Sequence, residues 1–142
     1  MMDQDAFSKW LGIEVIAVEA GSAKLRMTVR EEMTNGFGIA HGGISYSLAD
    51  SALAFASNGG GNQSVSLETA IHHLKPVQTG DTLEARVILL NETRRTGLYQ
   101  IDIFKDDVRV AFFKGTVYRR AMNGTYETDL YRRRRSYAHW KI

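Results

Sequence analysis

A chain of 142 residues, 44% apolar and 24% charged, fits one globular domain with a core of its own. It contains no cysteine, which excludes disulfides, thiolate nucleophiles and cysteine-bound metals. The net charge of +2 is modest but uneven: Arg132–Arg135 form one cluster, and Arg94–Arg95 and Arg119–Arg120 form two pairs. Such clusters suit phosphates or nucleic acid, although a solvated tail or loop is the simpler reading. No basic segment followed by an apolar run opens the chain, and no apolar stretch reaches ~18 residues. A cytoplasmic protein without a membrane partner is expected.

In chain order, Asp3 to Trp10 reads as a short helix with Phe7, Trp10 and Leu11 as apolar contacts, stopped by Gly12. Ile13 to Val18 reads as a strand, and Glu19 to Ser22 as a turn. Ala23, Leu25, Met27 and Val29 then alternate with charged or polar residues, the mark of a strand with one covered and one wet face. Glu31 to Ala40 is a loop. A helix over about Gly43–Ser57 follows, and Gly59-Gly60-Gly61 ends it.

The rest is β. Ser64 to Leu74 alternates, with Val65, Leu67, Thr69 and Ile71 on one face and Ser66, Glu68, Ala70 and His72 on the other. Thr82–Leu90 is the next strand, Asn91–Gly97 a loop, and Leu98–Phe104 with Val108–Tyr118 a hairpin about Lys105-Asp106-Asp107. Six strands with one helix inserted after the second, the last four meandering, indicate an antiparallel α+β domain over residues 1–120. Residues 121–142 form a basic tail without clear period, whose aromatics suit docking on another surface.

The central helix is apolar all round, so the fold must enclose it. Between Glu32 and Glu68 its only charged residue is Asp50. A carboxylate there is costly to bury unless something binds it. Gly42 and Gly43 stand at the helix start, where amide hydrogens lack partners and favour negative charge on a ligand oxygen. Asp50 lies roughly 10–12 Å further along the axis. A carbonyl at the glycines and a water near Asp50 would then share one elongated site. A plain turn and a serine-capped buried Asp remain the alternative. Exposed sheet edges and an incompletely covered helix both point to a homodimer that joins its sheets edge to edge, with a monomer protected by its tail as the alternative.

At Asn35, His41-Gly42-Gly43 and Leu48-Ala49-Asp50 the chain resembles the hotdog-fold acyl-CoA thioesterases, of the phenylacetate-degradation type. Val65-Ser66-Leu67, Leu74-Lys75-Pro76 and Gly80-Asp81 extend the likeness, which covers about residues 5–120. The resemblance implies a six-stranded antiparallel sheet wrapped around one helix, in dimers that pair further into tetramers. It implies an acyl-CoA substrate with an aromatic or medium-chain acyl group, hydrolysed at the dimer interface without cofactor or metal. Gly42 N–H would hold the thioester carbonyl, and Asp50 of the other chain would act as general base or nucleophile. Ser66 would face Asp50, Asn35 would position water or substrate, and His41 would order the loop. Gly43 would assist binding, and Arg94 and Arg95 would reach the CoA phosphates.

His72 and His73 are adjacent on a strand, point to opposite faces, and cannot share a metal; structural roles are expected of both. The chain lacks the Gly-x-Ser-x-Gly elbow of serine hydrolases. Two other readings stay open: an enoyl-CoA hydratase on the same fold, and a non-catalytic module that binds acyl-CoA or nucleic acid. The hydratase sequence patterns are absent, and a binding module leaves Asp50 unexplained.

Overall fold

A computed structural model describes residues 2–59 and 63–120; the basic tail at 121–142 and part of the triple glycine lie outside the described residues. Helix α1 (Ala6–Leu11) follows a 3₁₀ turn at Met2–Gln4. It starts later than the apolar pattern suggests, because Asp5 caps it, accepting from Ser8 N–H at 3.0 Å. Gly12 closes it with φ 75°. Strands β1 (Glu14–Glu19) and β2 (Ser22–Thr28) form a hairpin, and the alternation in β2 holds, with Leu25 and Met27 buried.

Helix α2 (Gly42–Asn58) is the axis of the fold. Leu48, Ala49 and Ala52 are wholly shielded from solvent. Strands β3 (Ser64–His73), β4 (Thr82–Glu92), β5 (Thr96–Lys105) and β6 (Val108–Arg119) complete the structure. Their inward residues, among them Leu83, Ala85, Ile101, Ile103, Phe113 and Val117, pack with Leu25 and Met27 into one core with α2. Burying each large apolar side chain contributes about 1.5–3 kcal/mol. No helix among the described residues is long and apolar enough to cross a membrane.

The six antiparallel strands run in the order β1-β2-β4-β5-β6-β3. Only β4, β5 and β6 meander; β3 pairs with β6 and forms an edge instead of joining β4. The β5–β6 turn is as expected: Asp106 and Asp107 both take positive φ, 47° and 62°. That conformation matches the twist of a two-residue hairpin. A departure occurs in β3. Ser66 pairs with Val117 while Glu68 pairs with Thr116, so Leu67 is an extra residue in a bulge. Strict alternation put Ser66 opposite Thr69. The bulge instead turns Ser66 to the inner face that carries Thr69 and Ile71, and leaves Leu67 38% exposed.

Tight approach governs the end of α2. Gly59 has an ordinary right-handed conformation, φ −63° and ψ −21°, so backbone freedom does not explain it. A Cβ there would stand 2.7 Å from the Glu19 carbonyl oxygen. Gly59→Ala is therefore expected to lower the unfolding free energy by roughly 1–3 kcal/mol in urea denaturation. An unchanged midpoint would contradict this close packing.

Candidate active site

The loop before α2 is built around Asn35. Its side-chain oxygen accepts from Phe37 N–H at 2.9 Å, and its own N–H donates to Ile39 C=O at 2.8 Å. Gly38, at φ 76°, turns the chain and donates to Asn35 C=O. Ala40 N–H is held by Val77 C=O and His41 N–H by Met33 C=O, which fixes the entry to the helix. Among the described residues the Asn35 NH₂ group has no acceptor and remains for a ligand.

His41 is the N-cap of α2, an unusual cap that uses its Nδ1 to accept from Gly43 N–H at 2.9 Å. An accepting Nδ1 carries no proton, so the neutral ring holds its hydrogen on Nε2. The expected ordering role of His41 has this physical form. The same bond occupies Gly43 N–H, and Ile44 N–H donates to His41 C=O at 2.9 Å. Among the described residues Gly42 N–H has no acceptor. It is the helix-start amide open to a ligand.

Gly42 borders a cleft of about 340 Å³ whose lining includes Asn35, Ser45, His73, Lys75 and Val77. Of these only Asn35 is a residue that the sequence singles out for the site; Ser45, His73, Lys75 and Val77 are not. For His73 the sequence holds only the alternation of Thr69, Ile71 and His73 on one face of β3; that α2 runs antiparallel to that strand, with its start near His73, is seen in the fold. Tyr46 O–H meets Thr69 Oγ1, and Ser64 Oγ donates to Ser57 C=O at 3.1 Å. Those contacts set the alignment and place Ser66 level with the turn of α2 that carries Asp50.

Asp50 itself does not line the cleft. It is half-buried, and no hydrogen-bond partner holds it among the described residues. Burial pushes its carboxyl above the ordinary range, and the negative charge of Asp5 adds to the shift. A chain of polar contacts seats α1 beside it. Ser8 Oγ donates to Asp5 at 2.7 Å and lies 2.8 Å from Ser51 Oγ. Arg94 and Arg95 sit exposed in the β4–β5 turn. Arg119, whose N–H donates to Arg95 C=O, lines a small recess with Ala56 and Ser57. Within one chain the two arginines are therefore at the C-terminal end of α2, remote from Gly42.

A six-stranded sheet wrapped on one long helix is an architecture shared with known proteins. The sequence model of the thioesterase superfamily matches residues 37–112. The chain belongs to that superfamily. This thioesterase-family chain is 39% identical over 120 residues to acyl-coenzyme A thioesterase PaaI of Escherichia coli K12, a match spanning 84% of this chain and 86% of that one. The solved structure of E. coli PaaI superposes with a TM-score of 0.82 at 38% identity, covering 85% and 88% of the two chains. The TT0310 protein of Thermus thermophilus gives 0.79 at 38% identity, covering 82% and 99%. The architecture is thus the hotdog fold of this family.

The electrostatics of Asp50 lead to a prediction. Ionisation is harder in the fold than in the unfolded chain, so the charged carboxylate costs stability above its folded pKa. Below the unfolded pKa both states are protonated and the cost disappears. Asp50→Asn should be more stable than the parent at neutral pH, with the gap closing as pH falls towards about 4. Denaturation midpoints across that range check it; a variant less stable at neutral pH would contradict the burial account.

Proposed function

We propose that the protein hydrolyses acyl-CoA thioesters, with an aromatic or medium-chain acyl group, at a site shared by two chains. The observation that carries this reading is the free Gly42 amide at the mouth of the cleft, on the same helix as a half-buried carboxyl. The likeness to a relative named acyl-CoA thioesterase supports the substrate class. Gly42 N–H stabilises the charge that develops on the thioester oxygen, a contact worth roughly 10²–10³ in rate. A placed carboxylate base contributes about 10²–10⁴ more. Thiolate is a good leaving group, so no strong acid has to be supplied.

Asp50 lies eight residues beyond Gly42 on one rigid helix, roughly 12 Å along its axis. It cannot deliver water to a carbonyl held by its own Gly42. A second chain resolves the distance: β3 is an edge strand of 10 residues, and pairing two copies along it brings each Asp50 towards the other cleft. In this arrangement Ser66 orients Asp50 or its water, and Asn35 directs its NH₂ group at substrate or water. Gly43 contributes through its bond to the cap rather than by touching the ligand. The partner's hairpin then offers Arg94 and Arg95 to the CoA phosphates. Two such dimers associate into a tetramer.

Gly42→Pro removes the amide hydrogen, although its added ring also presses on His73, whose Nε2 lies 3.1 Å from the position of a Cβ there. Proline is tolerated at a first helical position, and His41, at φ −59° and ψ 138°, already has the extended backbone that precedes proline. Thiol release from aromatic, short, medium and long acyl-CoAs should fall roughly 10²–10³-fold in kcat for this variant. Asp50→Ala should abolish CoA release while leaving the oligomer intact. Full activity in either variant would remove that group from the mechanism, and a panel with no turnover by the unaltered protein would refute the hydrolase reading.

A further inference from the structure

We propose that His73 is a second donor to the thioester oxygen, its Nε2–H converging with Gly42 N–H on the charge formed in the reaction. The inference rests on the acyl-CoA reading and assigns a residue to its oxygen-binding pocket. It starts from a shortage. A tetrahedral oxyanion is stabilised by several converging donors, yet the first turn of α2 offers one. Gly43 N–H is held by His41 Nδ1, and Ile44 N–H by His41 C=O.

His73 stands where the missing donor is needed. It is the last residue of β3 and pairs with Ala111, which is 1% exposed, so its side chain is on the inner face of the sheet. The ring approaches the helix start tip first. From the position of a Cβ on Gly42, Nε2 is the nearest atom at 3.1 Å, followed by Cε1 at 3.5 Å and Cδ2 at 3.8 Å. Both residues line the same cleft. Neighbouring His72 is differently employed, its ring stacked on Phe112 with centroids 4.7 Å apart on the outer face. Among the described residues the His73 imidazole has no hydrogen-bond partner, so its Nε2 is available to a ligand, and the Nε2–H tautomer is part of the proposal.

The step balances without a proton from His73. Water oxygen bonds to the carbonyl carbon as Asp50 of the partner chain takes its proton, and the C=O π pair moves to oxygen. Gly42 N–H and His73 Nε2–H both hydrogen-bond that oxygen. Collapse re-forms C=O, breaks C–S, and releases CoA as thiolate with the bonding pair.

A purely space-filling His73, covering the bare Cα of Gly42, is the competing explanation, and two substitutions separate them. His73→Phe keeps the ring but has no donor; His73→Gln restores an N–H in similar reach. With an acyl-CoA that the unaltered protein turns over, His73→Phe should lower kcat roughly 10²-fold with KM little changed. His73→Gln should recover most of that loss. An unchanged kcat in His73→Phe would overturn the inference, as would equal losses in both variants or a loss confined to KM. Turnover by the parent together with an indifferent His73→Phe refutes His73 alone; no turnover by the parent refutes the hydrolase reading and this inference with it.

Discussion

Enclosing an apolar helix is the constraint on which the rest of the structure depends. α2 keeps only one half-exposed stripe, so a sheet must wrap the rest of it, and the wrap works only where backbone can come close. Gly115 on β6 lies against Leu53, and Gly59 lies against the Glu19 carbonyl. Along the half-exposed stripe, which carries Gly43, Ser47, Asp50 and Ala54, two places stand out. One is the helix start, where the His41 cap satisfies Gly43 and leaves Gly42 open. Another is Asp50, without a hydrogen-bond partner among the described residues and where solvation is poor.

The two points also conflict with stability. An ionised carboxylate in a half-dry environment costs the folded state free energy. A raised pKa makes the same group a better proton acceptor, although less of it is ionised at a given pH. Asp5 adds to the strain from a helix of only six residues. The Ser8–Ser51 contact keeps that short helix in place. A minor N-terminal turn is therefore coupled electrostatically to the centre of the proposed site.

Much of the architecture was legible because local chemistry and final packing agree. The alternation of Leu25 and Met27, the small and apolar run of α2 broken by the single charge of Asp50, and the Asp106-Asp107 turn each specify their own structure. Partner choice was less accessible: nothing local in Ser64–His73 says that it pairs with β6 rather than β4. The bulge at Leu67 was hidden for a related reason, since one extra residue reverses the face of Ser66 without altering the pattern of residue types. Asn35, His41, Gly42 and Asp50 stood out as a motif. His73 did not, because a histidine at a strand end acquires meaning only once the helix start is packed over it. The separation of Arg94 and Arg95 from Gly42 likewise depends on which end of α2 the β4–β5 turn reaches.

The account stands on a site divided between chains, and subunit mixing tests it most directly. Asp50→Asn and Gly42→Pro chains, each inactive as a pure oligomer, are combined under conditions that exchange subunits, and thiol release is followed. A shared site predicts recovered activity, because each mixed dimer joins one intact Gly42 to one intact Asp50. If exchange is verified and the mixture stays as inactive as its parents, the carboxyl and the amide do not act across the interface, and the account is wrong.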